Sequence, residues 1–191
     1  MKTFYVLVIV LVAVSSLDAR AQDSSRFDVA VDYTYLRSNA PPGSCGCFNW
    51  NGGSISAAWR LDLNWSIVGE FGDAHASGVG NSGLTPTITT YLSGPKYRLG
   101  GQSHAVVPFA EVLLGGASVR NGYFPNGSAS SSSATAFSFA AGAGFDVAVA
   151  KRLSIRPIAV EYLYTGFPNG SNGRQNNLRI SSGLVFRFGQ G

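Results

Sequence analysis

Apolar and polar residues alternate with a period of two along most of the chain beyond residue 26. Strict alternation is typical of a β-strand whose two faces meet different surroundings. In the first such segment, RFDVAVDYTYL, Phe27 and Val29 share one face, while Asp28 and Asp32 lie on the other. The pattern predicts seven further strands, within residues 53–61, 64–72, 87–99, 105–119, 136–149, 153–167 and 177–189.

The connections between these eight segments alternate in length. Long connections are expected near 37–53, 73–85, 120–135 and 166–176, and short ones near 62–64, 100–104 and 150–152. An even number of strands, with long loops at one end and short turns at the other, is the topology of an outer-membrane barrel. The predicted fold is therefore all-β, an eight-stranded antiparallel up-and-down transmembrane β-barrel with both termini on the periplasmic side. We also expect Pro95, which follows Gly94, to mark a bulge or another irregularity in the fourth strand.

The residues on the two faces favour a membrane barrel over a soluble one such as a lipocalin. Tyrosine, tryptophan and phenylalanine lie near the ends of the apolar faces, as the aromatic girdles of membrane barrels do. Charged residues are only 13% of the chain, against about 25% in typical soluble domains. The polar faces predict a lumen charge network of Asp28, Asp32, Arg60, Glu70, Lys96, Arg98, Glu111, Asp146, Glu161, Arg179 and Arg187.

The predicted network holds six acids and five bases, so its charges nearly balance. An eight-stranded barrel encloses an interior just wide enough for side chains to fill it. We therefore favour a plugged, salt-bridged lumen, and a narrow porin-like channel is the alternative.

The N-terminal segment differs from the rest of the chain. Lys2 precedes an apolar run at 4–14, and an A-x-A cleavage site follows at 19–21. A run of this length is too short for a helix across a bilayer of about 30 Å, so a retained anchor is the less favoured alternative. We predict a signal peptide at 1–21 and one barrel domain at 22–191.

Four stretches of the mature segment resemble one known family. They are TYLSGPKYRL (90–99), VPFAEVLLGGA (107–117), IRPIAVEYLYT (155–165) and NNLRISSGLVFRFG (176–189). The segment as a whole is similar to the bacterial outer-membrane protein beta-barrel family, the small OmpA/OmpX-type barrels. The resemblance implies a monomeric eight-stranded barrel in the outer membrane, but it implies no enzymatic activity, because such a fold does not determine a function.

The end of the last strand resembles the assembly signal by which outer-membrane barrels are recognised. The pattern consists of Ser181, Gly183, Phe186 and Phe188. Partners are therefore expected to include the barrel-assembly machinery, besides outer-membrane lipids and lipopolysaccharide. Nucleic acid is not expected as a partner, because the chain has no extended Lys/Arg cluster.

The only two cysteines, Cys45 and Cys47, lie in the first long loop, just before Phe48 and Trp50. A zinc site needs about four ligands, and only His75 is a nearby candidate, so neither a metal nor a cofactor is expected. An exported pair meets an oxidising compartment, which favours a local disulfide; free thiols and intermolecular pairing are the alternatives. We expect Phe48 and Trp50 near the membrane edge.

The stretch DAHAS offers the one catalytic alternative. Asp73, His75 and Ser77 alternate at the outer end of the third strand, and a His-x-Ser pair resembles that of outer-membrane lipid deacylases. No glutamate follows on the next strand to orient the histidine, and His75 is more simply a loop residue. The predicted function is therefore non-enzymatic, a structural or adhesive role at the cell surface, with a lipid hydrolase as the less favoured alternative.

Overall fold

The computed structural model describes residues 27–38, 48–77, 83–99, 105–126, 129–168 and 173–188. The strands are β1 (Phe27–Ser38), β2 (Phe48–Arg60), β3 (Trp65–Ala76), β4 (Thr87–Arg98), β5 (Val106–Arg120), β6 (Phe124–Asn126), β7 (Ala129–Ser131), β8 (Ala134–Ala150), β9 (Leu153–Thr165) and β10 (Gln175–Phe188). Among these residues, no helix is long and apolar enough to span a membrane.

Eight of the described strands form a closed antiparallel barrel in the order β1-β10-β9-β8-β5-β4-β3-β2, while β6 and β7 form a separate hairpin. The barrel closes between the first and last strands, which pair from Phe27 with Phe188 to Ser38 with Asn177. The predicted fold class is confirmed, including the alternation of long and short connections.

The two faces of each strand meet opposite environments. On β1, Asp28 and Asp32 are each 4% exposed and point into the lumen, whereas Val31 and Tyr33 are 51% and 57% exposed on the outer wall. A soluble domain buries its apolar residues and exposes its charges, so this barrel is inverted relative to a soluble one. The alternation along the sequence arises from this inversion.

Several strands extend further than the sequence pattern indicates. β2 begins at Phe48, inside the segment that was expected to be loop, and β3 continues to Ala76, so that Asp73 and His75 are strand residues. The prediction of His75 as a loop residue is wrong. At these strand ends the outward face is polar, with Asn49, Asn51 and His75, but the backbone ladder continues from Trp50 opposite Ala76.

Prolines mark irregularities in two strands, the expected one in β4 and a second in β9. The register between β4 and β5 is the same on both sides of Pro95, where only the pairing of Gly94 and Pro95 is interrupted. A true register shift lies in β9 around Pro157, between the pairs Ser181–Ala159 and Gly183–Arg156. Proline lacks a ladder N–H, which is why it is tolerated at such a bulge.

The long-loop end of the lumen is apolar, although a polar lumen was expected throughout. Phe124 of the β6–β7 hairpin and Phe167 of the fourth long loop pack against each other, with ring centroids 5.6 Å apart. They belong to a buried cluster with Leu36, Trp50, Ile88, Leu92, Leu113, Val119 and Leu163. Trp50, only 2% exposed, points into the lumen and not toward the membrane edge.

Close strand contact at Gly52 generates a test of the fold. A Cβ atom at Gly52 would overlap the backbone of Asp73 and Ala74, whereas a Cβ at Gly69, on the outer wall, would meet no atom within 4 Å. We expect Gly52→Val to lower the free energy of unfolding by about 2 kcal/mol or more, because overpacking forces backbone shifts.

The measurement is urea unfolding of the refolded protein, followed by heat-modifiable gel mobility. Gly69→Val is the matched control and should unfold near the parent midpoint. Equal midpoints for the two variants would contradict the β2–β3 packing described here.

Candidate functional site

Buried ion pairs occupy the lumen in three groups, and the first lies near the short-turn end. Asp28 accepts hydrogen bonds from Arg60 Nη2 at 2.7 Å and from Arg98 Nη2 at 2.6 Å. Arg98 also donates to the Ser66 hydroxyl at 3.1 Å. Because β1 and β4 are separated by two strands, the Arg98–Asp28 pair crosses the lumen.

Arg156 is the centre of the second group. Its Nε donates to Asp146 Oδ1 and its Nη1 donates to Asp32 Oδ2, each at 2.9 Å. Gly183 lies between Asp32 and Arg156 in the ladder, and a Cβ there would contact the Asp32 side chain. The missing side chain at Gly183 therefore leaves room for the guanidinium to reach across β10.

The same region holds the only lysine of the network. Lys96 Nζ lies 3.3 Å from Glu111 Oε2, directly across the β4–β5 ladder. The Phe109 ring contacts both cations, with Lys96 Nζ 3.5 Å and Arg156 Cζ 4.7 Å from its centroid. A cation held against an aromatic face in a desolvated site gains additional electrostatic stabilisation.

Arg179 forms the third group. Its Nε donates to Glu161 Oε2 at 2.7 Å across the β9–β10 ladder, and its Nη1 pairs with Glu70 on the far wall. Arg179 is 2% exposed and Glu161 is 3% exposed. These two pairs hold β3, β9 and β10 together through the lumen.

The three groups together include a charged residue from every barrel strand. Ten of the eleven residues predicted from the sequence form ion pairs in the lumen; Arg187 is buried there but forms none within the described chain. Sequence reasoning missed Arg156, because the bulge at Pro157 reverses the alternation of β9. Pro157 was the feature of the sequence that could have indicated this bulge. With Arg156, six acids face six bases.

Little space remains between these side chains. A lumenal cavity of about 10 Å³ lies between the charged groups and the apolar cluster, bordered by Thr34, Ser54 and Arg179. That is about the space for one water molecule.

Other predicted residues lie apart from the lumen network. Cys45 and Cys47 fall outside the described residues, as does the predicted signal peptide. Among described residues, no group of three or more His, Cys, Asp or Glu side chains is placed to hold a metal ion. Of the predicted assembly signal, which stays a prediction, Phe186 is 40% exposed on the outer wall of β10 and Ser181 is buried in the lumen.

His75 lies on the outer wall at the long-loop end. Its Nδ1 is 2.8 Å from the Thr87 hydroxyl, and its Nε2 is 3.3 Å from Asp73 Oδ1. Asp73 also accepts a hydrogen bond from Thr89 at 2.8 Å. Both ring nitrogens of His75 therefore have partners other than Ser77.

Comparison with known proteins assigns this inverted, charge-filled barrel to a family. Residues 4–188 match the model of the outer membrane protein beta-barrel domain. The chain belongs to this family. A search of curated protein sequences finds no match.

Solved structures of outer-membrane barrels share the fold of this family member. Ail of Yersinia pestis is 17% identical, with 87% of this chain and 100% of that chain covered, at a TM-score of 0.55. Neisserial surface protein A is 18% identical with the same coverage, at a TM-score of 0.58. The N-terminal barrel of Pseudomonas aeruginosa OprF is 13% identical, covers 86% and 99%, and has a TM-score of 0.50.

Membership of the family places the barrel in the bacterial outer membrane. The exposed outer wall, with Val31, Ile67, Phe71 and Leu114, is then the lipid-facing band. The short turns face the periplasm and the long loops face outward. In this orientation, the apolar lumen cluster is at the extracellular end and the charged groups lie below it.

Arg156 provides a test of the network. We expect Arg156→Met to lower the free energy of unfolding by about 3 kcal/mol or more, because it leaves Asp32 and Asp146 buried without a cation. Urea unfolding in lipid vesicles measures the change. Adding Asp146→Asn to this variant should restore part of the loss.

Arg152→Met is the matched control, since Arg152 is an exposed arginine in the turn between β8 and β9. Its effect should stay within about 0.5 kcal/mol. If the two arginine substitutions had the same effect, the ion pairs of Arg156 would not contribute as described.

Proposed function

We propose that this protein is a closed, non-conducting outer-membrane barrel with a structural or surface-interaction role. One observation carries the proposal: ion pairs and an aromatic cap of Phe124 and Phe167 occupy the lumen, and the cavity between the ion pairs and the apolar cluster measures only about 10 Å³. A hydrated ion needs a continuous aqueous path, whereas the central ion-paired side chains Arg156 and Arg179 are only 5% and 2% exposed. Contacts with other molecules must then be made by the outer wall and the extracellular loops.

The ion pairs also make spontaneous opening unfavourable. To clear the lumen, Arg156 or Arg179 must leave two carboxylates each, and those carboxylates must remain buried among other charges. Separation of a buried pair costs several kcal/mol. This energetic cost favours a static plug over a narrow channel.

The extracellular loops support a surface role. The loop sequences 39–47, 77–86, 121–133 and 166–174 contain one charged residue, Arg174, and they are rich in Gly, Ser and Asn. Such nearly uncharged polar segments present hydrogen-bonding groups to the exterior with little charge repulsion. Ail, the attachment invasion locus protein of Yersinia pestis, shares this fold, and its name indicates a surface role.

The hydrolase alternative gains no support from the geometry around His75. A histidine that activates serine needs one ring nitrogen directed at the hydroxyl while the other is oriented by a partner. Here Thr87 and Asp73 engage the two nitrogens of His75. Ser77 therefore lacks an activating base.

Planar-bilayer recording tests the proposal. We expect refolded protein of verified heat-modifiable mobility to show no steady unitary currents, while a wide porin in the same membranes reports normal insertion. Steady unitary currents from the parent protein would support the channel alternative and overturn the closed lumen.

The double variant Phe124→Ala, Phe167→Ala tests the aromatic cap separately from the ion pairs. It removes the aromatic cap but retains the ion pairs, so it should also remain closed.

A further inference from the structure

The extracellular end of the outer wall is basic. Arg37, Arg120 and Arg174 are exposed at this end, against the single acidic residue Asp73. The four extracellular loops contribute no further charge apart from Arg174. Six of the eight described acidic residues are in the lumen, so arginines outnumber acids at this end of the described outer wall.

Polar side chains continue from this rim across neighbouring strands. In the outer-face register, Asn51 pairs with His75, His75 with Thr87, and Thr87 with Arg120. Adjacent strands lie about 4.8 Å apart, so the backbones of His75 and Arg120 are about 10 Å apart with Thr87 between them. A guanidinium beside a hydroxyl and an imidazole matches a phosphate group well.

An open groove lies on the same strands, closer to the membrane centre. It has a volume of about 660 Å³, and its floor consists of Ala57, Gly69 and Ser93. These three residues are direct neighbours in the register, and their small side chains form the depression. A Cβ at Gly69 would meet nothing within 4 Å.

The direction of Tyr91 keeps the groove open. Its ring packs over Gly116 on β5, and its hydroxyl lies 3.3 Å from the Ser118 hydroxyl. The ring thus leans away from Gly69 on β3. Phe71, 53% exposed, forms a wall on the extracellular side of the groove.

The basic row and the groove are aligned along the strands. His75 and Gly69 are six residues apart on β3, which corresponds to about 20 Å at about 3.3 Å per residue. A polar, phosphate-matching site therefore stands above an apolar groove that lies within the lipid-facing band. This arrangement has the amphipathic form of one membrane lipid.

We propose that the outer wall of β2–β5 binds one phosphate-bearing, acylated lipid of the outer leaflet. Arg120 and Thr87 contact the phosphate, and an acyl chain lies in the groove over Gly69 and Ser93. The Asp73 carboxylate on the same wall is engaged by Thr89 and His75. The site does not involve the lumen, so the lipid-binding proposal can be tested independently of the closed, non-conducting barrel.

Lipid retention tests the proposal. The full mature chain is placed in phosphatidylcholine nanodiscs that contain bisphosphorylated lipid A, released into detergent, and its bound lipid is counted by native mass spectrometry. We expect the parent to retain one lipid A. Arg120→Gln and Gly69→Phe should each lower retention about tenfold, by loss of a charged contact and by filling of the groove.

The controls match each change at a distant place. Arg152→Gln removes an exposed arginine from a periplasmic turn, and Ala143→Phe adds a ring to an exposed outer-wall position on β8. Both should retain lipid as the parent does. Heat-modifiable mobility verifies that every variant is folded.

Several results would overturn the proposal. One is equal retention by the parent and Arg120→Gln. Another is equal retention of dephosphorylated lipid A, which would exclude the phosphate contact, and a third is full displacement by inorganic phosphate, which would exclude the acyl contact. A parent dimer that carries no lipid and dissociates with Gly69→Phe would assign the groove to a second copy of the chain.

Discussion

The structure depends on the pairing of charges that are held out of water inside a narrow barrel. An unpaired charge in such surroundings is costly, and loss of one partner of a buried pair is strongly destabilising. Asp32 and Asp146 therefore need Arg156, just as Glu70 and Glu161 need Arg179. Asp32 on β1 reaches Arg156 on β9 past β10, and Glu70 on β3 reaches Arg179 across the lumen, so these two pairs form only when the barrel is closed.

This requirement determines both the interior and the exterior of the protein. The side chains that satisfy the buried charges also occupy the lumen, and the apolar cluster of Trp50, Phe124 and Phe167 covers them at the extracellular end. Gly183 shows how local sequence serves the pairing, because its missing side chain lets Arg156 reach Asp32. With the interior filled, the outer wall and loops are left for interactions with lipids and partners.

The alternation of residues predicts most of the fold, because every barrel strand has one face in lipid and one in the lumen. The prediction fails where the two faces of a strand no longer differ as lipid-facing and polar lumenal faces do. At the start of β2, Phe48 and Trp50 face the lumen while Asn49 and Asn51 face outward, the reverse of the apolar-out pattern in the rest of the strand. Arg156 was missed because a bulge inverts the period. The apolar lumen residues, such as Leu36, are indistinguishable by alternation alone from a strand buried on both sides.

The exchange of arginine side-chain protons tests the paired, dry lumen most directly. In nitrogen-resolved NMR spectra of the protein in lipid nanodiscs, we expect the Nε–H protons of Arg156 and Arg179 to exchange slowly with water, because each donates to a buried carboxylate. The exposed Arg152 is the internal reference and should exchange rapidly. Exchange of Arg156 and Arg179 as fast as that of Arg152 would show a water-filled lumen and contradict the account.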